Sequence, residues 1–449
     1  MRKAALLAAA MALAPAAHAR PAPDAAPLVR AIDASDLSGA EAALAAPGLA
    51  NATLPYGETP LARAIETQDA QMVALLLAKG AKPAGWDSLG RSPLSLACEH
   101  GADAIVGQLL DARADVRKAA PDGTTPLAVC ARFAGSATVA RMLAMGARAD
   151  TLDAQGQTPL MWAASAGKVE TIGLLLKAGA DVNRVTPAGF TPLFFAIKSG
   201  SAPATQALLD AGGDAAHSGP EDTSALQLAL YQKNWGAARL LVDRSIGDLA
   251  AIDRNGNRPL HVAAASGDTA LIAAMLDHGA DVNGLTGPSR IKWVTEANFG
   301  MPPPPVPPTP PLLIAAHEGQ MEAMKMLVAR GADRAFVAEN GTNVVLAAAG
   351  GRSAAALEAA LALAPDANVA NAKGQTALHL VLFSGPHPDL EPMLAVLARH
   401  GARTDKADAK GVTPAQVAAE GLTEVKVVFE RVFGQTKQTP PPTSPAASD

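Results

Sequence analysis

Aromatic side chains are scarce in this chain: Phe, Trp and Tyr together make up 3% of its 449 residues. A large aromatic-lined pocket would need residues that the chain mostly lacks. Catalytic signatures are missing too. There is no H-E-x-x-H, no G-x-S-x-G, no phosphate-binding G-x-x-x-x-G-K and no cysteine–histidine cluster at zinc spacing. Basic charge is short, with 37 Lys and Arg against 42 Asp and Glu, a formal net charge of −5. That balance disfavours nucleic acid and anionic membrane, which are bound through excess Lys and Arg. Beyond the amino-terminal apolar stretch, no segment is uncharged and apolar for long enough to span a bilayer.

What the chain does have is a ruler. Thr or Ser followed by Pro-Leu returns every 33 residues, at Thr59, Ser92, Thr125, Thr158 and Thr191, with a degenerate copy at Ser224-Ala225-Leu226. A fixed period of this length means stacked units, each burying its apolar face on its neighbours. In the most regular copy Thr158-Pro159 opens a helix: the hydroxyl caps free N–H groups and the proline's fixed φ suits the first turn. Ala163-Ala164 is small enough for two helices to approach closely. Leu174, Leu175 and Leu176 close a second helix, and Gly179 ends it in the left-handed conformation. Asp181-Val182-Asn183 and the residues up to Gly189 turn into the next unit. Later copies start at Arg258, Pro310, Asn343, Thr376 and Thr413, with three intervals stretched to 34, 52 and 37. The helix-ending glycine keeps step at Gly80, Gly146, Gly179, Gly212, Gly279, Gly331 and Gly401. Arg113, Ser245 and Ala364 replace it in three repeats, whose loops are expected to be looser or differently turned.

The run from Gly156-Gln-Thr-Pro-Leu-Met-Trp-Ala-Ala to Asn183 resembles the ankyrin consensus, a 33-residue unit marked T-P-L-H-x-A. The resemblance covers about residues 28–434. It implies an all-α ankyrin-repeat solenoid of stacked helix–turn–helix units, about 11–12 repeats with turn or hairpin tips. One continuous solenoid is expected over 20–437, with an amino-terminal capping repeat at 28–56, a Pro-rich insertion at 284–309 and a carboxy-terminal cap at 411–434. Residues 438–449 read as a disordered tail. The resemblance also implies recognition of a protein partner by first helices and turn tips, with no cofactor. The succession Thr191-Pro-Leu-Phe-Phe-Ala196, the degenerate copy at 223–228, the insertion and Asn340-Gly-Thr-Asn-Val-Val-Leu-Ala-Ala-Ala-Gly350 further resembles exported bacterial ankyrin-repeat proteins.

Arg2-Lys3, the apolar stretch from Ala4 to Leu13, and Ala17-His18-Ala19 make a signal peptide cleaved after Ala19. Its loss leaves 35 basic against 42 acidic residues, about −7. The only cysteines, Cys98 and Cys130, sit in the first helices of adjacent repeats. A disulfide needs Cα atoms within about 7 Å, whereas neighbouring helices pack at ~10 Å. Free, buried thiols are therefore expected.

The histidines mostly have repeat roles. His261 and His379 stand at the fourth position of the T-P-L-H motif, where the ankyrin resemblance implies hydrogen bonds to neighbouring backbone. His278 and His400 precede the helix-ending glycine, a place that favours a cation. His100 and His317 end first helices, and His217 and His387 lie in loops. Ser165-Ala-Gly-Lys168 fits the S-x-x-K nucleophile pattern, but no S-D-N or K-T-G companion follows. His387-Pro-Asp389 lacks further metal ligands. The chain therefore reads as non-enzymatic, with no catalytic, cofactor or metal residues.

Aromatic anchors dominate binding energies, so the partner is expected to meet the cluster of Trp162, Phe194, Phe195, Tyr231 and Trp235. The insertion adds Trp293 and Phe299, followed by eight prolines among the eleven residues 301–311, which favour a polyproline II rod. The competing assignment for the aromatics is inter-repeat core, and for the insertion a tolerated surface loop. The resulting reading is a monomeric periplasmic scaffold for a protein partner. A secreted effector acting on another cell's proteins and an enzyme with its site in the insertion are the alternatives.

Overall fold

The computed structural model describes residues 24–54, 57–85, 87, 90–290 and 307–434. These form 24 α-helices, without a strand among the described residues. They fall into two compact units.

The first unit runs to Pro159, with Lys177–Gly179. It contains α1 (Ala26–Asp33), α2 (Leu37–Ala43), α3 (Pro60–Glu66), α4 (Ala70–Ala78), α5 (Pro93–Glu99), α6 (Asp103–Asp111), α7 (Pro126–Phe133) and α8 (Ser136–Ala144). First helices pack on first helices (α1, α3, α5, α7) and second helices on second helices (α2, α4, α6, α8).

The second unit comprises Leu160–Leu176 and the chain from Ala180. Its helices are α9 (Pro159–Ser165), α10 (Val169–Lys177), α11 (Pro192–Lys198), α12 (Ala202–Asp210), α13 (Ala225–Tyr231), α14 (Trp235–Asp243), α15 (Pro259–Ser266), α16 (Thr269–Asp277), α17 (Pro311–His317), α18 (Met321–Ala329), α19 (Val344–Gly350), α20 (Ala354–Leu363), α21 (Ala377–Phe383), α22 (Leu390–Arg399), α23 (Pro414–Glu420) and α24 (Thr423–Gly434). The same two rows recur from α11 to α24.

The ruler residues act as the sequence indicates. Thr59, Thr125 and Thr191 accept the N–H of Ala62, Ala128 and Phe194, at 3.1, 3.3 and 3.4 Å. Asn343 does the same for Leu346 at 3.0 Å, so that departure from the ruler keeps its cap. His261 and His379 work through both ring nitrogens. Nδ1 accepts the backbone N–H of Arg258 or Thr376, and Nε2–H donates to the carbonyl of Thr309 or Val412 in the next turn. Between repeats, four asparagines act as stitches. Asn51, Asn183, Asn283 and Asn368 each donate to a helix-ending glycine carbonyl (Gly80, Gly212, Gly331, Gly401) and accept the N–H two residues on.

Two expectations need correction. Cys98 and Cys130 form a disulfide with Cα atoms 4.8 Å apart. Both lie on facing sides of α5 and α7, and the expectation set an interaxial distance against a Cα limit: axes ~8–10 Å apart, with Cα atoms about 2.3 Å out from each axis, bring facing Cα atoms to about 5 Å. Arg113 and Ser245 take the turn glycine would take, with φ of 60° and 57°. Their N–H groups bond the Leu110 and Val242 carbonyls as a glycine's would. Ala364 alone departs, leaving its helix in extended conformation.

The insertion leaves the stack intact. Thr286 and Thr309 pair across its base, N–H to carbonyl at 3.1 Å, while Asn283 still reaches Gly331 and Asp333. Its leading arm lies against the preceding turn tip, Gly287 N–H on Gly256 O and Arg290 N–H on Arg254 O. Gly256 has φ +90°, and a Cβ there would meet the Gly287 carbonyl. Residues 291–306, with Trp293 and Phe299, lie outside the described residues, as do the segments expected to be a signal peptide (1–19) and a tail (438–449).

Candidate functional site

In the second unit the scarce aromatics gather at one place. A cavity of about 350 Å³ opens between α11, α13 and three successive turn tips. Phe194 and Lys198, four residues apart on α11, and Gln227, Leu228 and Tyr231 on α13 present one face each. Phe190, just before the cap Thr191, joins them as a half-exposed wall. The composition argument against an aromatic-lined pocket therefore fails locally, because three of the few aromatics share one wall.

Phe194 is buried, with its ring edge toward Phe190 at 6.4 Å and toward His217 at 5.8 Å. The loop histidine His217 also bonds the Gly189 carbonyl at 2.9 Å, holding the turn that carries Phe190. Gly219 is required by the same ring, since a Cβ would stand 2.5 Å from Phe194 Cε1. Tyr231 is half-buried. Burial, then the nearby Asp253 carboxylate, raises its phenol above the ordinary range, so it stays a neutral donor.

Charges ring this floor. Lys198 lies over the Phe190 ring at 5.0 Å and Arg254 over the Tyr231 ring at 5.5 Å, contacts worth about 0.5–1 kcal/mol each at exposed sites. Arg254 is also 3.7 Å from Glu221, both largely exposed. Arg290 donates to the Ile252 carbonyl. Glu221 and Asp222 hold left-handed backbone at φ 57° and 56°, which thrusts both carboxylates out at the tip.

Of the aromatics named from sequence, Phe194 and Tyr231 meet at the cavity. Phe195 sits half-buried on α11, 6.0 Å from the Phe190 ring, without lining it. Trp162 on α9 and Trp235 at the start of α14 lie elsewhere in the unit. Phe190, Lys198 and Arg290 were not legible as site residues, and Arg254 stands at a turn tip. Phe190 did carry a signal: the residue before the cap is Glu58, Arg91, Thr124, Gln157 or Thr223 in neighbouring repeats, and only here aromatic.

Residues proposed for chemistry have structural partners instead. The Ser165 hydroxyl donates to the Trp162 carbonyl at 2.7 Å. Asp389 accepts the Ala354 N–H at 2.9 Å, and His387 bonds the Ser384 hydroxyl. No group of three or more potential metal ligands occurs among the described residues.

The family model for ankyrin repeats matches residues 28–120, 105–186, 127–218 and 193–285, more than half of the chain. The chain belongs to the ankyrin-repeat family. Its members are generally non-catalytic modules that bind proteins. Delta-latroinsectotoxin-Lt1a of Latrodectus tredecimguttatus is 38% identical over 66 residues, 14% of this chain. The chain spans 5% of that toxin's length. No helix among the described residues is long and apolar enough to cross a membrane.

Proposed function

We propose that this ankyrin-repeat protein is exported to the periplasm, where it holds a protein partner and carries no catalysis of its own. The observation that carries the binding role is the aromatic cavity with charged tips on the first-helix side of the second unit. A half-open apolar floor ringed by charge is the form of an anchor pocket in a recognition surface. Two features support export: the signal-peptide pattern of residues 1–19 and the Cys98–Cys130 disulfide, a bond that persists in oxidising compartments. The acidic balance of the mature chain favours a protein over nucleic acid as partner.

The test places a photo-crosslinking amino acid at Gln227, in the cavity, or at Arg239, on α14, in the native host. Crosslinks from 227 and not from 239 are the expected result, on protein whose amino terminus is Arg20. Chains that retain Met1 and remain in the cytoplasm would overturn the address. Equal crosslinking from both positions would overturn the site.

A further inference from the structure

We infer that the insertion is an enlarged turn tip whose leading arm, Gly287 to Arg290, positions Arg254 at the cavity rim and so completes the surface a partner meets. The inference rests on the protein-binding reading of the cavity and assigns the insertion its part in it.

The place of the insertion follows from the backbone. In neighbouring repeats of the unit each tip is closed by one pair: the residue before the helix cap accepts, on its carbonyl, the N–H of the residue four positions earlier. Thr186 and Phe190, Gly219 and Thr223, Asp253 and Asn257, and Ala338 and Thr342 are such pairs, at 2.8–2.9 Å. Thr286 and Thr309 make the same bond at 3.1 Å, and Thr309 likewise precedes the cap position, Pro310. They are 23 residues apart instead of four. The 19 extra residues of the 52-residue interval therefore fall inside one turn tip, and the helices on either side keep their places in the two rows.

Among the described tips of the unit, other tips receive at most one backbone N–H from the next. Ala372 donates to the Asn340 carbonyl and Ala409 to the Lys373 carbonyl, each at 2.9 Å. The arm holds the tip of Arg254 at more points. Gly287 N–H donates to Gly256 O at 2.7 Å and Arg290 N–H to Arg254 O at 2.8 Å. The Ser289 hydroxyl adds a longer bond to the Arg254 carbonyl, 3.4 Å, and the Arg290 guanidinium donates to the Ile252 carbonyl at 3.2 Å. The close approach needs glycine on both sides. A Cβ on Gly287 would stand 2.8 Å from Ile252 Cδ1, and one on Gly256 would meet the Gly287 carbonyl. The Asp253–Asn257 pair shapes the tip from within; the arm fixes where the tip stands against α13. That position lays the Arg254 guanidinium over the Tyr231 ring at 5.5 Å and brings Arg290 to the same rim.

Tyr231 itself reports the rim. Burial and Asp253 raise its phenol, while a backbone hydrogen bond with Arg254 and the charges of Arg254 and Arg290 lower it. Tyr56→Phe leaves Tyr231 as the only tyrosine, to be titrated by absorbance in the purified mature protein. In that background Arg290→Ala removes a charge and keeps the backbone donor, whereas Arg290→Pro removes both. Tyr231 should titrate higher in Arg290→Ala than in its parent, and higher still in Arg290→Pro, as Arg254 swings away. Replacing residues 287–308 with Ala372-Lys373-Gly374, the interior of an ordinary tip, should keep the helical circular dichroism and raise Tyr231 as well. The same replacement should cut crosslinking from position 227 on the order of tenfold, the effect of losing an anchor arginine. Equal titration in Arg290→Ala and Arg290→Pro would overturn the positioning role, and so would an unmoved Tyr231 after the replacement. Undiminished crosslinking would overturn the arm's part in binding. If the replaced chain does not fold, the two Arg290 variants decide by titration and crosslinking. Wild-type protein that gives no crosslink from 227 removes the binding reading instead, and the titration still decides whether the arm sets the rim.

Discussion

Single residues set how each repeat turns, and two substitutions of the glycine rule show the cost. Arg113 and Ser245 hold left-handed backbone, which disfavours a side chain by ~1–2 kcal/mol, partly offset by the chain entropy a glycine would lose. Arg113→Gly should therefore raise stability by up to about 1 kcal/mol in urea unfolding. A loss would mean that the Arg113 stem packs usefully. His261 makes the opposite kind of contribution. Burial holds its pKa down at about 4, against an ordinary 6.5, and its neutral ring bridges Arg258 and Thr309. Because the unfolded chain takes up the proton first, the stability is complete above pH 6.5 and is lost as pH falls toward 4. The slope is ~1.4 kcal/mol per pH unit, so about 2 kcal/mol should be gone at pH 5. Denaturation midpoints at pH 7 and pH 5 check this, and His261→Gln should remove that part of the slope.

At the scale of elements, helices of seven to twelve residues are too short to persist alone. They are held by rows of first and second helices and by the asparagine stitches between repeats. The disulfide joins α5 to α7 across a separation of 32 residues. Closing a loop of that length lowers the entropy of the unfolded chain and stabilises by ~3–4 kcal/mol. Cys98→Ala with Cys130→Ala should reduce hydrogen-exchange protection over residues 93–144 by a comparable amount, leaving residues 225–329 unchanged. Equal loss in both regions would mean that the bridge supports more than its own unit. Non-reducing mass spectrometry checks the bond itself, as a deficit of two hydrogens.

For the whole molecule, the repeat frame was readable from Thr59 to Thr413, because each unit solves the same packing problem with a variant of one cap, proline and small-residue pattern. The proposed address rests on a sequence pattern, Arg2-Lys3 to Ala19. The candidate site was half legible. Phe194 and Tyr231 stand on first helices at helical spacing, but their meeting with Phe190, Lys198, Arg254 and Arg290 depends on turn tips from three repeats converging. No local pattern encodes that convergence.

The sequence by itself determined the family, the number and order of helices, and most of their caps, since these follow from contacts within one period. The tertiary structure alone decided the disulfide, the left-handed turns at Arg113 and Ser245, the insertion's hold on Gly256 and the cavity. Each of these depends on which backbone positions far apart in the chain come to face one another: two Cα atoms 4.8 Å apart on facing sides of α5 and α7, and a carbonyl set where a Cβ would stand. Such distances are fixed by the packing of neighbouring repeats, and residue spacing along the chain does not contain them.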